Sequence, residues 1–506
     1  MVVTINSACL VGLNVYKINV EVDTINSIPQ VAIVGLPDTA ISEAKERLRL
    51  AIKNSGFSFP ATKVVINLAP ADLKKEGSGY DLAMAVGILK KENIIKNFKE
   101  NKTVFIGELS LDGSLRPING ILPMVASLND LGFERVILPA ENLKEASFID
   151  NIEVLGVDNL VQVVEYLNNN IDLKKLKQNV EDFINKDDIF PVDFAHIKGQ
   201  AQAKRALEIA ASGAHNVLLS GVPGSGKTML ARAFMSILPP LEKQEAIELT
   251  KIYSISGLLD NKNPLVTKRP FRNPHHSASS VGITGGGSNP KPGEITLAHR
   301  GVLFLDEMVE FPRATLEVLR QPLEDNIVTI SRATLSVKYP ANFILVGAMN
   351  PCPCGFLGDS KKKCTCSEFQ INKYKSKLSG PLLDRIDIQL KIARLEDEEL
   401  LNMENSDAEK SFIIKKRVIN ARKIQLERYK NDGILTNSEL TPKLIKKYCK
   451  IDDITRQFLK NAINQFDLSA RSYDRLLKIS RTIADLDFKK DIEISHIAQA
   501  LQLRSF

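Results

Sequence analysis

Three short clusters of polar side chains in the middle of the chain have the residue types and order of a Mg²⁺-dependent phosphate site. The first cluster, residues 221–228, reads Gly-Val-Pro-Gly-Ser-Gly-Lys-Thr and fits the pattern G-x-x-x-x-G-K-[ST]. Glycines let backbone N–H groups approach phosphates, the lysine adds positive charge, and the threonine hydroxyl is a ligand for Mg²⁺. The nucleotide-binding residues expected from this pattern are Gly221, Val222, Pro223, Gly224, Ser225, Gly226, Lys227 and Thr228.

The second cluster is a pair of carboxylates, Asp306 and Glu307, which follows four apolar residues at 302–305. The apolar run predicts a buried parallel strand that carries both carboxylates to the edge of a sheet. There Asp306 suits the Mg²⁺ shell, and Glu307 suits polarising an attacking water molecule. A surface Asp-Glu pair at a strand end is the plainer alternative, and the preceding phosphate motif favours the catalytic interpretation.

The third cluster combines an amide with an arginine. Asn350 follows an apolar run at 343–348 that predicts a strand. At the end of that strand its side chain could orient the lytic water, or it could simply form a turn before Pro351. Arg385 lies between two aspartates, which is compatible with a local ion pair. The functional alternative is an arginine finger that completes the site of a neighbouring subunit in a ring.

The phosphate motif has the flanking elements that it requires. Residues 216–220 form a short apolar run that predicts a strand, and residues 228–238 show a glycine-free amphipathic pattern that predicts a helix. A strand, a glycine loop and a helix in this order distinguish a genuine P-loop from a chance match.

Four regions differ in pattern along the chain. Residues 1–170 alternate β-like runs with helical patterns and predict an α/β or α+β domain. Residues 171–190 are charged and precede Pro191, as in a linker. A second α/β block at 191–392 holds the three clusters, and residues 393–506 predict a helical domain.

The composition is that of an ordinary soluble globular protein. The chain has 506 residues, of which 44% are hydrophobic and 25% charged, and this balance excludes collagen-like, low-complexity and wholly disordered classes. No window approaches 18 consecutive apolar residues, and the N-terminus lacks a secretory pattern, so a cytoplasmic location without a membrane span is expected. The net charge of +7 is compatible with nucleic-acid binding and equally with a solvated mixed surface.

Four of the six cysteines lie close together, as two Cys-x-Cys pairs: Cys352, Cys354, Cys364 and Cys366. Residues two apart in an extended chain project to one side, so each pair could present two thiolates. Two such pairs predict a structural Zn²⁺ site with four sulfur ligands. A reduced thiol cluster or a redox switch is the alternative.

Basic residues concentrate near these cysteines. Lys361, Lys362 and Lys363 lie between the two pairs, and a second basic stretch occupies 415–430. Such patches are usually solvated, but they also suit sequence-independent contacts to DNA phosphates, as does Arg332 on an expected β-hairpin. For the adjacent His275 and His276, the sequence leaves open a structural role, a DNA contact and a catalytic role.

Taken together, five segments resemble the magnesium-chelatase-type AAA+ family, and more narrowly its YifB/ComM branch of competence-associated proteins. They are residues 200–211, 221–228, 269–276, 301–307 and 349–355. The resemblance covers nearly the whole chain and implies a P-loop AAA+ core with a C-terminal helical lid and ATP and Mg²⁺ as cofactors. It also implies that Asn350 is sensor 1, that Arg385 is the arginine finger, and that Arg471 is a sensor 2 residue touching the γ-phosphate from the lid.

The same resemblance implies what the protein does. A homo-oligomeric ring, expected to be a hexamer, would hydrolyse ATP and act on single-stranded or branched DNA, as a branch-migration helicase in recombination of transforming DNA. The alternative is a chelatase-like or chaperone-like motor that remodels a protein partner.

The first domain resembles the Lon-type protease fold at residues 75–81 and 107–120. A Lon active site needs a serine and a lysine that deprotonates it. The corresponding positions here are Gly79 and Leu122, and the nearby Ser78 falls one residue away. The resemblance therefore implies a catalytically degenerate domain that binds DNA, supports the ring or contacts partners, and it disfavours an active peptidase.

Overall fold

The computed structural model describes residues 1–96, 102–184, 190–260, 262–287, 290–332, 336–394, 409–466 and 469–504. The chain forms two compact units. The first comprises Met1–Lys186 and Glu242–Thr267, and the second comprises Asp187–Leu241 and Lys268–Phe506. The segment after the P-loop helix thus belongs with the N-terminal unit, while the C-terminal helices share a unit with the nucleotide motifs. Residues 185–189 of the expected linker lie outside the described part of the chain.

A mixed seven-stranded sheet forms the centre of the first unit, in the order β3-β4-β2-β1-β5-β8-β9. Strands β1, β2 and β4 pair antiparallel, and the remaining neighbours pair parallel. The strands of this unit are β1 Val3–Val11, β2 Asn14–Ile25, β3 Val31–Val34, β4 Lys63–Ala69, β5 Thr103–Phe105, β6 Glu108–Leu109, β7 Leu115–Arg116, β8 Arg135–Pro139 and β9 Glu153–Val157. Its α-helices are Thr39–Asn54, Asp81–Lys91, Ile121–Leu128, Leu143–Ala146, Leu160–Leu167, Glu181–Ile184 and Lys243–Ile255.

Local signals in the sequence account for the helices that cover this sheet. The helix Thr39–Asn54 begins after Asp38, whose carboxylate accepts a hydrogen bond from the Ile41 N–H at 2.8 Å and so satisfies a free amide of the first turn. The helix Asp81–Lys91 is apolar on all sides and is buried from residue 81 to residue 89 against β1 and β2.

A parallel five-stranded sheet forms the centre of the second unit, in the order β11-β14-β17-β10-β18. Two hairpins, β12–β13 and β15–β16, lie outside it. The strands of this unit are β10 Val217–Gly221, β11 Phe271–Arg272, β12 Gly285–Gly286, β13 Lys291–Pro292, β14 Val302–Leu305, β15 Ile327–Ser331, β16 Ser336–Pro340, β17 Ile344–Met349 and β18 Ile388–Ile392. The α/β class expected from the sequence is confirmed.

The order of these strands positions the candidate site. Strand β17 pairs in parallel with β10 on one side and β14 on the other, so the carboxyl ends of all three lie side by side. These ends lead into the P-loop, into Asp306 and Glu307, and into Asn350. Ligands of open parallel sheets bind at this edge.

Helices cover the sheet and continue to the C-terminal end of the described chain. The α-helices of the second unit are Ala201–Gly213, Lys227–Ile237, Ser280–Thr284, Glu294–Leu297, Arg313–Glu317, Arg320–Asp325, Glu368–Lys375, Gly380–Leu383, Ser411–Arg428, Pro442–Tyr448, Asp453–Phe466, Ala470–Leu486 and Ile494–Gln502. Sheet residues such as Val217 and lid residues such as Val418 and Ile483 belong to one apolar core. Among the described residues, no helix is both long enough and apolar enough to cross a membrane.

Candidate nucleotide and cysteine sites

The loop between β10 and the helix Lys227–Ile237 has the backbone of a phosphate cradle. Gly224 and Gly226 adopt left-handed conformations, with φ of 78° and 89°, which residues with a Cβ rarely adopt. A Cβ on Gly221 would lie 2.5 Å from the carbonyl oxygen of Ile392, so this position also requires glycine. The first N–H groups of the helix are therefore available to an anion at its N-terminus.

Lys227 connects the loop to the third cluster. Its Nζ donates to the carbonyl oxygens of Gly221 at 2.6 Å and Val222 at 3.0 Å, and to Asn350 Oδ1 at 3.3 Å. Burial lowers the pKa of Lys227, and the neighbouring Asp306 and Glu307 oppose that shift. The ammonium is thus held where charge-assisted bonds to phosphate oxygens would be stronger than its bonds to two carbonyls.

Thr228 and Asp306 form the oxygen pair expected of a magnesium site. The Thr228 hydroxyl donates to Asp306 Oδ2 at 2.9 Å, while the Glu307 N–H donates to Asp306 Oδ1 at 3.0 Å. A hydroxyl and a carboxylate are the hard oxygen ligands that Mg²⁺ takes beside substrate phosphates. The residues present therefore fit this ion.

Glu307 lies next to one of the two histidines. Its backbone has a left-handed φ of 49°, and its side chain is 58% exposed. The His276 Nδ1 lies 3.6 Å from Glu307 Oε2, and the rings of His275 and His276 are 4.1 Å apart. His275 Nδ1 is bonded instead to Ser277, at 2.8 Å from its hydroxyl oxygen. Of the pair, His276 is thus the residue beside the predicted general base.

A cavity of about 390 Å³ adjoins the P-loop, and the sequence pattern did not predict it. Apolar side chains of Ile197, Met229 and Leu230 line it together with polar groups of His196 and Gln200. An apolar slot with a few polar groups beside a phosphate cradle suits a nucleotide base. Outside the P-loop and its helix, the one residue of this cavity that the sequence pattern had marked is Gln200, because it falls in the segment 200–211 that resembles the family.

Arg385, the predicted arginine finger, and Arg471, the predicted sensor 2 residue, lie together, and neither lines that cavity. Arg385 is buried, forms an ion pair with Glu324, and donates to the Pro381 carbonyl oxygen at 2.6 Å. Arg471 Nη2 lies 3.9 Å from Oε1 of Glu324, whereas Arg385 pairs with Oε2. Both arginines line a cavity of about 130 Å³ with Arg475 and Lys478, and neither lines the cavity at the P-loop.

The four clustered cysteines converge, as their spacing predicts. The Sγ atoms of Cys352 and Cys354 are 3.4 Å apart, those of Cys352 and Cys364 are 3.6 Å apart, and all four lie within 4.8 Å of one another. A tetrahedron with Zn–S bonds of about 2.3 Å has edges of about 3.8 Å. None of these cysteines is in a disulfide.

Backbone donors favour a thiolate at Cys354, whereas the pKa values of Cys364 and Cys366 are raised. The Cys354 N–H donates to Cys366 Sγ at 3.4 Å. The N–H groups of Phe356 and Thr365 donate to Cys354 and lower its pKa to about 5. Although the Cys366 N–H acts in the same direction on Cys364, burial and the neighbouring sulfurs raise the Cys364 pKa to about 12. The residues present fit a tetrahedral cation that takes up this shared charge.

The cysteine loop is attached to the nucleotide site at two points. A Cβ on Gly355 would lie 2.8 Å from Cγ of Pro223, so the loop packs directly on the P-loop. The Tyr374 hydroxyl accepts a hydrogen bond from the Asn350 N–H, and burial raises the Tyr374 pKa to about 12. A change in the cysteine loop can therefore reach Asn350.

The predicted DNA contacts lie on the surface. Lys361, Lys362, Lys363 and Arg332 are exposed. The hairpin predicted around Arg332 is confirmed as β15–β16, although residues 333–335 of its turn lie outside the described chain.

In the first unit, the residues nearest the Lon positions have other partners. The Ser78 hydroxyl bonds to Glu108, and the buried Lys75 donates to the Pro70 carbonyl. Leu122 is buried, and its N–H donates to Glu145 Oε1 at 2.9 Å. The described residues of this region thus contain no serine–lysine pair, and the Lon resemblance stays a prediction.

Comparison with known proteins identifies the family. The magnesium chelatase subunit ChlI family matches residues 193–400, and related ChlI families match residues 20–142 and 408–504. The chain is 40% identical over 505 residues to the competence protein ComM of Haemophilus influenzae, an alignment that covers 99% of this chain and 96% of that protein. The chain belongs to the YifB/ComM family.

Further relatives agree with this assignment. The YifB protein of Salmonella typhimurium is 40% identical over 504 residues, covering 99% of this chain and 96% of that protein. The magnesium-chelatase 38 kDa subunit of Cereibacter sphaeroides is 27% identical over 177 residues, covering 32% of this chain and 53% of the subunit. Membership of the YifB/ComM family makes the chain an AAA+ ATPase of the magnesium-chelatase type.

Proposed function

We propose that this protein is an ATP-driven ring motor that acts on single-stranded or branched DNA, as a branch-migration helicase in recombination of transforming DNA. The observation that carries the ATPase part is the convergence of Lys227, Thr228, Asp306, Glu307 and Asn350 at the carboxyl ends of β10, β17 and β14. The DNA part is supported by the 40% identity to a competence protein and by the exposed basic residues of the second unit.

The side chains divide the hydrolytic reaction among them. The P-loop amides and Lys227 hold the β- and γ-phosphates, and Thr228 and Asp306 supply ligands for Mg²⁺, which neutralises charge on the phosphates. Asn350 orients a water molecule in line with the γ-phosphorus. Glu307 accepts the proton of that water as its oxygen bonds to phosphorus and the bond to the ADP oxygen breaks.

A neighbouring copy completes this site with Arg385 as the arginine finger, and Arg471 is the sensor 2 residue of the lid. The two side chains share the carboxylate of Glu324, and they line a different cavity from the one beside the P-loop. In a ring, Arg385 of one subunit would approach the nucleotide of the next and stabilise the charge that develops on the γ-phosphate. This arrangement supports a homo-oligomer, with a hexamer as the expected size.

The cysteine cluster is proposed to hold one structural Zn²⁺. Four sulfur ligands leave no open position for a water molecule or a substrate, so the ion supplies cross-linking rather than chemistry. Cys352, Cys354, Cys364 and Cys366 would then fix the loop that contacts Pro223.

Branch migration tests the proposed activity. A labelled four-way DNA junction is incubated with the protein, Mg²⁺ and ATP, and the separated duplex products are quantified on a native gel. The Lys227→Ala variant and a non-hydrolysable ATP analogue serve as controls. ATP-dependent separation by the wild type alone supports the proposal. An active ATPase that neither binds nor moves junctions would favour the protein-remodelling alternative.

A further inference from the structure

An aromatic ring projects into solvent beside the cysteine cluster. Phe369 lies in the first turn of the helix Glu368–Lys375 and is 76% exposed, more than any other phenylalanine of the described residues. By contrast Tyr374, on the same helix, is buried and anchors it beneath Asn350. The helix is therefore fixed on one side and presents a phenyl ring on the other.

Lysines are abundant in the segment that carries this ring. The described segment 356–377 contains six lysines and two acidic residues, Asp359 and Glu368. Asp359 lies 3.3 Å from Arg394, so its charge is already paired. The lysines of this segment are Lys361, Lys362, Lys363, Lys373, Lys375 and Lys377, and Lys377 is paired with Glu310, since its Nζ lies 3.3 Å from Glu310 Oε2. Such an excess suits a polyanion.

An aromatic–lysine contact lies in the same segment. The Lys362 Nζ lies 5.0 Å from the centroid of the half-buried Phe356 ring, so this lysine is held over the cysteine loop by a cation–π contact. Phe369 thus lies on a surface whose charges are partly held in place. Exposed rings among cationic side chains are the combination that binds unpaired bases by stacking and their phosphates by charge.

We propose that residues 356–377 form a binding surface for single-stranded nucleic acid, in which an unpaired base stacks on Phe369 and lysines of the same segment contact the phosphates. This inference rests on the proposed action on DNA. It adds a stacking residue that the four predicted DNA contacts do not include. Because Tyr374 bonds to the Asn350 N–H, the same helix joins the bound strand to the hydrolytic site.

The absence of tryptophan from the chain allows a direct test. A Phe369→Trp variant carries a single tryptophan, whose fluorescence is quenched when a base stacks on it. A saturating single-stranded oligonucleotide is expected to quench this emission, whereas inorganic polyphosphate, which has charge but no bases, is expected to bind without quenching. Phe488→Trp is the matched control, because Phe488 is 63% exposed on another helix end of the same unit.

Affinity measurements complete the test. Stacking on an aromatic side chain contributes about 1–3 kcal/mol per base, so Phe369→Ala is expected to weaken binding of a labelled oligonucleotide about 5- to 150-fold. Phe369→Leu keeps the apolar volume without the aromatic face and is expected to weaken binding similarly, whereas Phe369→Tyr should retain it.

Two results overturn the inference alone. The first is that DNA leaves the tryptophan fluorescence of the Phe369→Trp variant unchanged although it still stimulates ATP hydrolysis by that variant. The other is a change in oligomer mass caused by Phe369→Ala without a change in DNA affinity, which would make the ring a contact with a protein. Failure of the wild type to bind any DNA overturns both the inference and the proposed function.

Discussion

If the cysteine cluster holds Zn²⁺ as proposed, replacing Cys352 with serine removes that ion from the second unit and weakens ATP hydrolysis. Structural Zn²⁺ sites bind with about 10–16 kcal/mol near pH 7, so the wild-type protein should keep one equivalent through dialysis. A serine hydroxyl does not supply a thiolate at this pH. Loss of an outer-shell partner lowers the affinity for a metal about 10- to 100-fold. Loss of a direct ligand such as Cys352 should lower the affinity for Zn²⁺ by at least as much.

The effect on stability follows from the loop that the cluster closes. Cys352 and Cys366 bound a segment of 15 residues, for which a covalent cross-link contributes about 3 kcal/mol in the chain-entropy treatment. At about 2 °C per kcal/mol, the lower end of the range for large domains, the melting temperature should fall by up to about 6 °C. ATP hydrolysis should slow, because the loosened loop contacts Pro223 and continues from Asn350.

Elemental analysis and thermal unfolding of purified proteins provide the measurement. Cys449→Ser is the matched control, since Cys449 is also a buried free cysteine of the second unit but lies outside the cluster. The control should keep its metal. The reasoning is refuted if Cys352→Ser retains as much zinc as the wild type, or if the reduced wild type binds none when zinc is supplied.

Three further outcomes are expected. Glu307→Gln should lower kcat for ATP hydrolysis about 10²- to 10⁴-fold with little change in nucleotide affinity, and an equal loss of both would contradict its role as general base. Arg385→Ala and Lys227→Ala should each be inactive in ATP hydrolysis. Mixing the two variants should restore part of the hydrolysis, because in a mixed ring an Arg385→Ala subunit supplies an intact P-loop and its Lys227→Ala neighbour supplies an intact Arg385. No recovery would contradict a trans-acting Arg385. Changing Lys361, Lys362 and Lys363 together to Gln should make the plot of log affinity for single-stranded DNA against log salt concentration less steep by about 2. Fluorescence anisotropy measures this affinity, and an unchanged slope would exclude these residues from the DNA contact.

Much of the nucleotide site follows from the sequence because its residues lie in short local patterns. The strands predicted before Gly221 and Asp306 agree with the observed strands within one residue. Parallel strands that each end in a polar residue bring those residues to one edge, and this is why Lys227 and Asn350 lie within hydrogen-bond distance.

Other features depend on contacts between distant segments. The sequence did not predict the pairing of β1 with β2, nor that the segment Glu242–Thr267 belongs with the first unit. The cysteine spacing predicts the metal ligands but not the packing of Gly355 on Pro223. His276 lies beside Glu307 because β11 and β14 are neighbours in the sheet. Strand β11 has only two residues, and so short a strand cannot be recognised in the sequence.

The steady-state rate of ATP hydrolysis with and without DNA tests the central claim most directly. Wild-type protein and Lys227→Ala are compared without DNA, with a single-stranded oligonucleotide, with a four-way junction and with blunt duplex, each at two salt concentrations. A DNA-driven motor should show several-fold stimulation by the single strand or the junction, declining as salt rises, and no activity in the variant. An unchanged wild-type rate under every DNA condition, together with no salt-sensitive DNA binding, would contradict the account.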